Sequence, residues 1–235
     1  MELSGTVVQL AVGKPQRLGR EGAADPMDQP WETGFFKQPV AGPVAAGRLG
    51  LEGDGQADLV HHGGPHKAVL CYAEAHYALW REEFQADPAL VDRADLHAFG
   101  PGNLGENLTI RGLSEENVCL GDIYQVGTAQ LQVSQPRRPC WKIGRRWRVK
   151  ELTALTLSTG RTGWYVRVLK EGHLAAGQEI RLLQRPLEGW TITRLNHLSY
   201  QDRDNLEAAA FLAQRPELAD TWREDFRKRV EKSNR

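Results

Sequence analysis

The chain has 235 residues, of which 40% are hydrophobic and 26% charged, a composition typical of a folded protein rather than a disordered one. Its 30 lysines and arginines balance 30 acidic residues, which argues against a general binder of nucleic acids or membrane surfaces. No signal-peptide pattern is evident, and no window approaches the roughly 18 apolar residues of a membrane span. The three cysteines are widely spaced and odd in number, so they predict no disulfide framework, and we expect a reducing, cytoplasmic location.

Short apolar runs bounded by glycine and proline dominate roughly the first 185 residues, a pattern typical of β-strands. Gly127-Thr128, between two such runs, predicts a hairpin. Helices are predicted over residues 73–83, where apolar side chains recur on one stripe, and over 151–158. The polar stretch over residues 16–31 predicts a surface loop. Strands or extended segments are predicted over residues 6–12, 33–40, 68–72, 122–126, 129–134, 163–170 and 178–183.

The composition changes after residue 186, where glycine becomes rare and charged residues follow a helical pattern. We take Asp202 as an N-cap and Pro216 as a residue of a first helical turn. Helices are predicted over residues 193–199, 202–213 and 216–232. The expected fold class is therefore mainly β: a closed β-barrel with few helices over residues 1–186, followed by a small three-helix domain over residues 187–235.

A positively charged segment surrounds Cys140. No Asp or Glu occurs from Ile123 to Lys150, although the whole chain is neutral. Such surroundings favour a thiolate, which is a soft metal ligand, and arginines bind phosphate through paired N–H donors. These residues leave a redox switch, a nucleophile, a metal ligand and an anion site open, with a buried structural cysteine as the alternative. Cys71 and Cys119, in apolar runs, fit that alternative.

Two segments before the first helix contain closely spaced glycines. Residues 47–58 predict tight turns, but their glycine spacing does not fit a dinucleotide-binding fingerprint. Residues 61–65, two histidines followed by two glycines and a proline, predict a rigid turn that brings backbone N–H groups close to a ligand. The alternative is a zinc site built from His61, His62, His66 and Cys71, although no second Cys or His pair stands at zinc-finger spacing.

Lys37 and the tetrad at residues 105–108 each allow a structural and a functional interpretation. Lys37 lies in an extended segment, and burial statistics favour a solvated strand lysine. The Gly-Glu-Asn-Leu tetrad at residues 105–108 either orients a cofactor or makes a turn, and composition alone favours the turn.

Several short motifs follow one another in a specific order along nearly the whole chain. They are residues 50–58, His62-Gly63-Gly64, Gly105-Glu106-Asn107-Leu108, Gly121-Asp122, Ser134-Gln135-Pro136-Arg137 and Pro139-Cys140. Together they resemble the MOSC family, named for the C-terminal domain of molybdenum cofactor sulfurase, and more narrowly its bacterial YiiM-type branch. The final 45 or so residues resemble the helical domain that this branch carries after its barrel.

The resemblance implies a β-barrel that binds a molybdenum cofactor of the molybdopterin type, with Cys140 as the protein ligand to the metal. It also implies reduction of N-hydroxylated small molecules, such as hydroxylaminopurines and amidoximes, with electrons from a separate reductase. We take His62 as a candidate proton donor in that reaction. Carried over residue by residue, the resemblance also implies candidate contacts to the pterin and its phosphate, namely Lys37, His62, Lys67, Asn107, Arg137 and Lys142.

One residue departs from the pattern of the family. Where the family has an acid after the Gly-Gly-Pro turn, this chain has His66, followed by Lys67, which leaves the role of His66 open. A molybdenum cofactor or sulfur carrier without its own catalysis shares every motif and is the alternative function. A second alternative is a single-strand nucleic-acid binder that uses Trp141 and Trp147. The oligomeric state is open, with a homodimer as one option.

Overall fold

The computed structural model describes residues 4–59 and 62–233, and thirteen strands precede residue 185 in that part of the chain. They are β1 (Ser4–Val12), β2 (Gln16–Leu18), β3 (Trp31–Thr33), β4 (Gln38–Pro39), β5 (Val44–Gly47), β6 (Gly50–Leu51), β7 (Val69–Ala73), β8 (Leu108–Arg111), β9 (Ile123–Val126), β10 (Ala129–Pro136), β11 (Trp164–Lys170), β12 (Gly172–Leu174) and β13 (Glu179–Gln184).

Seven α-helices lie among the described residues, three of them after the last strand. They are α1 (Ala75–Ala86), α2 (Ala94–His97), α3 (Lys142–Trp147), α4 (Leu152–Ser158), α5 (Ile192–Tyr200), α6 (Leu206–Ala213) and α7 (Asp220–Ser233). Short 3-10 turns occur at Pro26–Asp28 and Pro65–Lys67. None of the seven helices is long and apolar enough to cross a lipid bilayer.

Seven strands close into a barrel in the order β1, β13, β9, β10, β11, β7, β8 and back to β1. The first strand closes it, because β1 pairs with both β13 and β8. The hairpin predicted at Gly127-Thr128 joins β9 to β10. Alternate side chains of β10, at Ala129, Leu131 and Val133, enter the apolar core of the barrel. The expected closed barrel is confirmed.

A cluster of aromatic side chains holds the helices against the outside of the barrel. The parallel strands β7 and β8 are joined by a connection that carries α1 and α2. From α1, Tyr77, Trp80 and Phe84 pack with Phe99 and with Trp147 of α3. Fully burying one such side chain contributes roughly 1.5–3 kcal/mol. This cluster therefore fixes α3 against the barrel.

The last three helices form a second core around Leu195, Leu212, Trp222 and Phe226, to which the barrel adds Leu120. The three-helix domain expected after the barrel is therefore present. The exact division of the chain into residues 1–186 and 187–235 stays a prediction.

Two details of the helical part differ from the expectation. Asn205, not Asp202, caps α6, because its Oδ1 accepts a hydrogen bond from the backbone N–H of Ala208 at 3.1 Å. The third helix begins at Asp220 rather than near Pro216. The carbonyl of Pro216 accepts a hydrogen bond from a barrel arginine at 3.2 Å, which holds the chain before the helix starts.

Regular structure also occurs in two segments for which no strand or helix was predicted. The surface loop over residues 16–31 begins with β2, which pairs with β3. The basic segment after Cys140 forms α3, which ends at Arg148 in the left-handed conformation with φ of 51°. This short helix forms through a tertiary contact, because its Trp147 is buried in the aromatic cluster.

Candidate functional site

A pocket opens at the end of the barrel where β10 finishes and β8 and β11 begin. All seven residues predicted to contact the cofactor or the metal line it, although they lie far apart in the sequence. They are Lys37, His62, Lys67, Asn107, Arg137, Cys140 and Lys142. Other residues, to which the sequence analysis assigned no role in a site, also line the pocket, among them Thr33, Phe35, Asp54, Gln56, Arg138 and Tyr165.

Cys140 lies between β10 and α3 and is the partly exposed cysteine of the three. Its carbonyl accepts hydrogen bonds from Thr153 Oγ1 and from the backbone N–H of Ile143, both at 3.1 Å. Cys71 and Cys119 are each only 2% exposed. Burial raises the pKa of both of these thiols, so neither is a ready nucleophile or ligand. The buried-cysteine interpretation therefore holds for these two and not for Cys140.

Arg137 brings an incompletely paired cation to the pocket. It is 6% exposed, and its backbone N–H donates to the carbonyl of Gly163 at 3.0 Å. Its Nη2 donates to the carbonyl of Leu104 at 2.7 Å. Its Nη1 has no hydrogen-bond partner within residues 4–59 and 62–233. Because an unpaired buried donor is costly, an anion in the pocket would stabilise this side chain.

A buried ion pair between Lys37 and Asp54 forms part of the pocket wall, with side chains only 7% and 3% exposed. Asp54 also accepts hydrogen bonds from the Gly13 N–H at 2.9 Å and from Asn107 Nδ2 at 3.0 Å. Asn107 Oδ1 in turn accepts from the Leu70 N–H at 3.0 Å. Burial lowers the pKa of Lys37, while Asp54 opposes that shift. The interpretation of Lys37 as a solvated strand lysine is therefore wrong.

His62 lies among positive charges and is neutral at pH 7. Burial lowers its pKa to about 4, and Lys142, Lys67 and Arg137 add to that effect. Burial also lowers the pKa of Lys67, and the charge of Arg138 acts in the same direction, while Asp58 opposes the shift. An anion in the pocket would oppose the part of these shifts that comes from the neighbouring cations. Without such an anion, His62 holds no proton at neutral pH.

The basic segment divides into a part that lines the pocket and a part that faces away from it. Lys142 lines the pocket, and its Nζ donates to a carbonyl of β3 at 2.8 Å. Arg145 stacks on a tryptophan of β3 at 5.0 Å, and Arg148 forms ion pairs with two carboxylates of the turn at residues 25–28. Arg146 stacks on two aromatic rings. We call Arg145, Arg146 and Arg148 the outer arginines. They contact aromatic rings or the carboxylates of the turn at residues 25–28, and they do not line the pocket.

Glu106 and Asn107 of the Gly-Glu-Asn-Leu tetrad are used differently. Glu106 is 1% exposed and accepts hydrogen bonds from the Gly102 N–H at 2.7 Å, from Thr109 Oγ1 at 2.8 Å and from the Tyr77 hydroxyl. The turn interpretation therefore fits Glu106. Asn107 is the member of the pair that lines the pocket.

The predicted glycine turn is present, whereas the zinc alternative gains no support. Both glycines at residues 63–64 have positive φ, 101° and 81°, which other residues rarely adopt. His61 lies outside the described residues. His66 Nε2 lies 3.5 Å from Asp220 Oδ1, and Cys71 is buried in β7. Among the described residues, no three His, Cys, Asp or Glu side chains are placed to hold a metal ion.

The aromatic pair invoked for nucleic-acid stacking does not form an open surface. Trp141 is 55% exposed, but Trp147 is only 5% exposed. The Nε1 of Trp147 donates to the carbonyl of Asn103 at 2.7 Å. The nucleic-acid alternative therefore loses one of its two rings.

Comparisons with known proteins agree with this architecture. The MOSC domain family matches residues 58–181, and the family described as YiiM-like, 3-alpha helix domain matches residues 190–233. Uncharacterized protein YflK of Bacillus subtilis is 41% identical over 227 residues, which cover 97% of this chain and 95% of that protein. A protein named Reductase from Gibberella moniliformis is 37% identical over 185 residues, 78% of this chain but 31% of that longer protein.

Solved structures give the same result. The crystal structure of YiiM from Geobacillus stearothermophilus superposes with a TM-score of 0.76 at 35% identity, covering 96% of this chain and 99% of that one. The family match spans the pocket-bearing strands, and the second match spans the three helices that follow them. The chain therefore belongs to the MOSC domain family, with the YiiM-like three-helix domain after its barrel.

Proposed function

We propose that this chain is a molybdenum cofactor-dependent oxidoreductase that reduces N-hydroxylated small molecules, such as hydroxylaminopurines and amidoximes, with electrons from a separate reductase. One observation carries the proposal. The accessible thiol of Cys140 shares a pocket with a buried guanidinium, Arg137, whose Nη1 lacks a partner among the described residues. The relative named Reductase and the cofactor-binding character of MOSC domains support a redox role.

The side chains of the pocket fit a molybdopterin-type cofactor. A thiolate is a soft ligand suited to molybdenum in a sulfur-rich environment, and Cys140 would supply it. The terminal phosphate of the cofactor needs fixed donors and positive charge, which Arg137, Lys67 and Lys142 would provide. Lys37 and Asn107 would shape the wall through their bonds to Asp54. When bound, the cofactor supplies the two-electron redox chemistry that no protein side chain here offers.

The reaction breaks an N–O bond and consumes two electrons and two protons. It releases one water molecule and the reduced nitrogen compound, an amine from a hydroxylaminopurine or an amidine from an amidoxime. In the proposed enzyme His62 would carry one of the protons. Its pKa of about 4 in the cofactor-free protein reflects burial and then the neighbouring cations. An anionic cofactor offsets those cations, so the pKa of His62 rises and the imidazole can hold a proton. The proton supply would thus depend on the loaded state of the pocket.

The first experiment measures molybdenum by mass spectrometry and oxidised pterin by fluorescence in protein expressed in a molybdate-replete host. We expect the wild type to carry both, and Cys140→Ser to lose metal by roughly tenfold or more, because a hydroxyl is a poor soft-metal ligand. Cys119→Ala, which alters a buried thiol that does not line the pocket, should load as the wild type does. Full metal content and full reductase activity in Cys140→Ser would disprove the ligand role.

A turnover assay separates the enzyme from the cofactor carrier. Loaded protein is given a hydroxylaminopurine and an amidoxime, with either a flavoprotein reductase or a chemical reductant. We expect an amine from the hydroxylaminopurine and an amidine from the amidoxime, and both products should require the loaded cofactor. Loaded protein that turns over neither compound with either reductant would instead favour the carrier.

A further inference from the structure

Helix α7 contacts the segment that carries Cys140. Arg138, two residues before the cysteine, is one of the residues that line the pocket. Its Nη2 lies 2.6 Å from Asp225 Oδ2 of α7. Its guanidinium also lies over the ring of Trp222, 4.3 Å from the centroid. Because Trp222 and Asp225 are three residues apart, they lie on the same face of the helix and hold the arginine together.

The same helix contacts the turn that carries Lys67. His66 Nε2 lies 3.5 Å from Asp220 Oδ1, at the start of α7. The carbonyl of His66 accepts a hydrogen bond from Ser134 Oγ at 2.6 Å, and the carbonyl of Ser134 accepts one from the Ala219 N–H at 3.0 Å. His66, the residue that departs from the family pattern, therefore has its charged partner in the three-helix domain.

Further contacts fix the start of α7 to the barrel without reaching the pocket. Arg167 of β11 donates to the carbonyls of Pro216, at 3.2 Å, and Glu217, just before the helix. Leu120 of the barrel is buried within the core of the three helices. The helix is therefore anchored to the barrel independently of the two contacts to the pocket-bearing segments.

We propose that α7 is the positioning element of the pocket. Asp225 and Trp222 hold Arg138 beside the cysteine, and Asp220 holds the turn that carries Lys67. None of these three α7 residues lines the pocket, so the three-helix domain contributes orientation rather than a ligand. The two segments are thereby held in place before an anion arrives, which reduces the ordering that binding requires.

The test compares Asp225→Asn with Glu224→Gln in cofactor-free protein. These neighbours on α7 are similarly exposed, 51% and 42%, and each forms an ion pair, but only the partner of Asp225 lines the pocket. The readout is the rate at which iodoacetamide alkylates Cys140, since Cys71 and Cys119 are buried. We expect Asp225→Asn to raise that rate by roughly threefold or more, because the charge of the released arginine is no longer neutralised.

Glu224→Gln should be alkylated at the rate of the wild type. Asp225→Glu, which keeps the carboxylate, should also be alkylated at that rate. Urea unfolding midpoints should agree among all variants, because exposed ion pairs add little stability. In loaded protein, Asp225→Asn should also shorten the half-life of pterin release by roughly threefold. Equal alkylation rates for Asp225→Asn and Glu224→Gln, or a rate change that appears only with a lowered midpoint, would overturn the proposal.

Only the retention measurement rests on the proposed function. A protein that takes up no molybdenum, but whose Asp225→Asn variant shows the faster alkylation, would contradict the proposed function and support the positioning role. A loaded, active enzyme with unaltered alkylation and retention in that variant would do the reverse.

Discussion

The cations inside the pocket and the outer arginines differ in the surroundings of their charges. The pocket cations are Lys37, Lys67, Arg137 and Lys142. Burial lowers the pKa of the two lysines at residues 37 and 67, and the buried guanidinium has an unpartnered nitrogen among the described residues. The outer arginines instead form ion pairs with carboxylates or stack on aromatic rings. Charge density along the sequence therefore does not locate the pocket, because the outer arginines belong to the same acid-free segment as Lys142 and do not line it.

The largest effect should come from Lys37→Met, which leaves Asp54 buried without its cation. We expect a loss of about 3–5 kcal/mol in the free energy of unfolding, as is typical when one partner of a buried pair is removed. Urea denaturation measures it. The double variant Lys37→Met/Asp54→Asn should recover part of the loss, because the uncompensated charge is gone. A loss below about 1 kcal/mol for the single variant would show that this pair stabilises the fold no more than an exposed ion pair does.

Arg137→Gln should show the next largest effect, now on binding. The amide retains a donor but removes the buried charge, so we expect the molybdenum and pterin content to fall roughly tenfold, in keeping with one lost charged hydrogen bond. Arg145→Gln, an outer arginine, is the control and should load normally. Equal loading of the two variants would erase the distinction between pocket cations and outer arginines.

His62 offers a smaller effect, on the pH dependence of stability. Its pKa of about 4 in the fold lies below the 6.5 of an ordinary histidine, so the unfolded chain takes up the proton first as the pH falls. The neutral imidazole therefore stabilises the fold fully above pH 6.5, and this contribution is lost as the pH falls towards 4. His62→Gln should lose less stability across that window than the wild type, as measured by urea unfolding at several pH values. Parallel pH profiles would contradict this.

Inorganic phosphate sharpens the same comparison. An anion among Lys142, Lys67 and Arg137 should raise the titration midpoint of His62, followed by NMR and assigned with His62→Gln. Chloride at equal ionic strength is the control. A midpoint that moves equally in both salts would indicate screening rather than binding.

The smallest effect should be that of Arg148→Gln. Its two ion pairs, with Asp25 and Asp28, lie at the surface, where solvent and salt screen them. We expect no measurable change in cofactor content or in the urea midpoint. A clear drop in cofactor content would show that the loop over residues 16–31 supports the pocket.

Local signals in the sequence were sufficient for much of the fold. The hairpin at Gly127-Thr128 has its own turn residues, and the long strands have apolar patterns. The C-terminal helices have a helical period of apolar residues, which predicted them even though the N-cap of α6 and the start of α7 were predicted wrongly. Helix α3 has no such signal, because Pro139 precedes it and Gly144 lies within it. It forms because Trp147 is buried against residues that are remote in the sequence.

The pocket was predictable through the resemblance to a family, not through composition. Composition assigned Lys37 to solvent, whereas the fold buries it against Asp54. The two residues lie 17 positions apart, on either side of β4, β5 and β6, so no local pattern reveals the pairing. The links from His66 and Arg138 to α7 have the same character, because each partner lies more than 80 residues away in the sequence.

The closure of the barrel by its first strand has a consequence for synthesis on the ribosome. One edge of β1 can pair with β8 once residue 111 has been made, but the other edge pairs with β13, which ends at residue 184. At about 5–20 residues per second, that edge waits on the order of 10–30 s after the strand itself has been translated. Each nascent chain therefore presents an unpaired β-edge during this interval, which can pair with the same edge of a neighbouring nascent chain. Expression in slowly growing cells, with fewer nascent chains at one time, should therefore increase the yield of soluble protein.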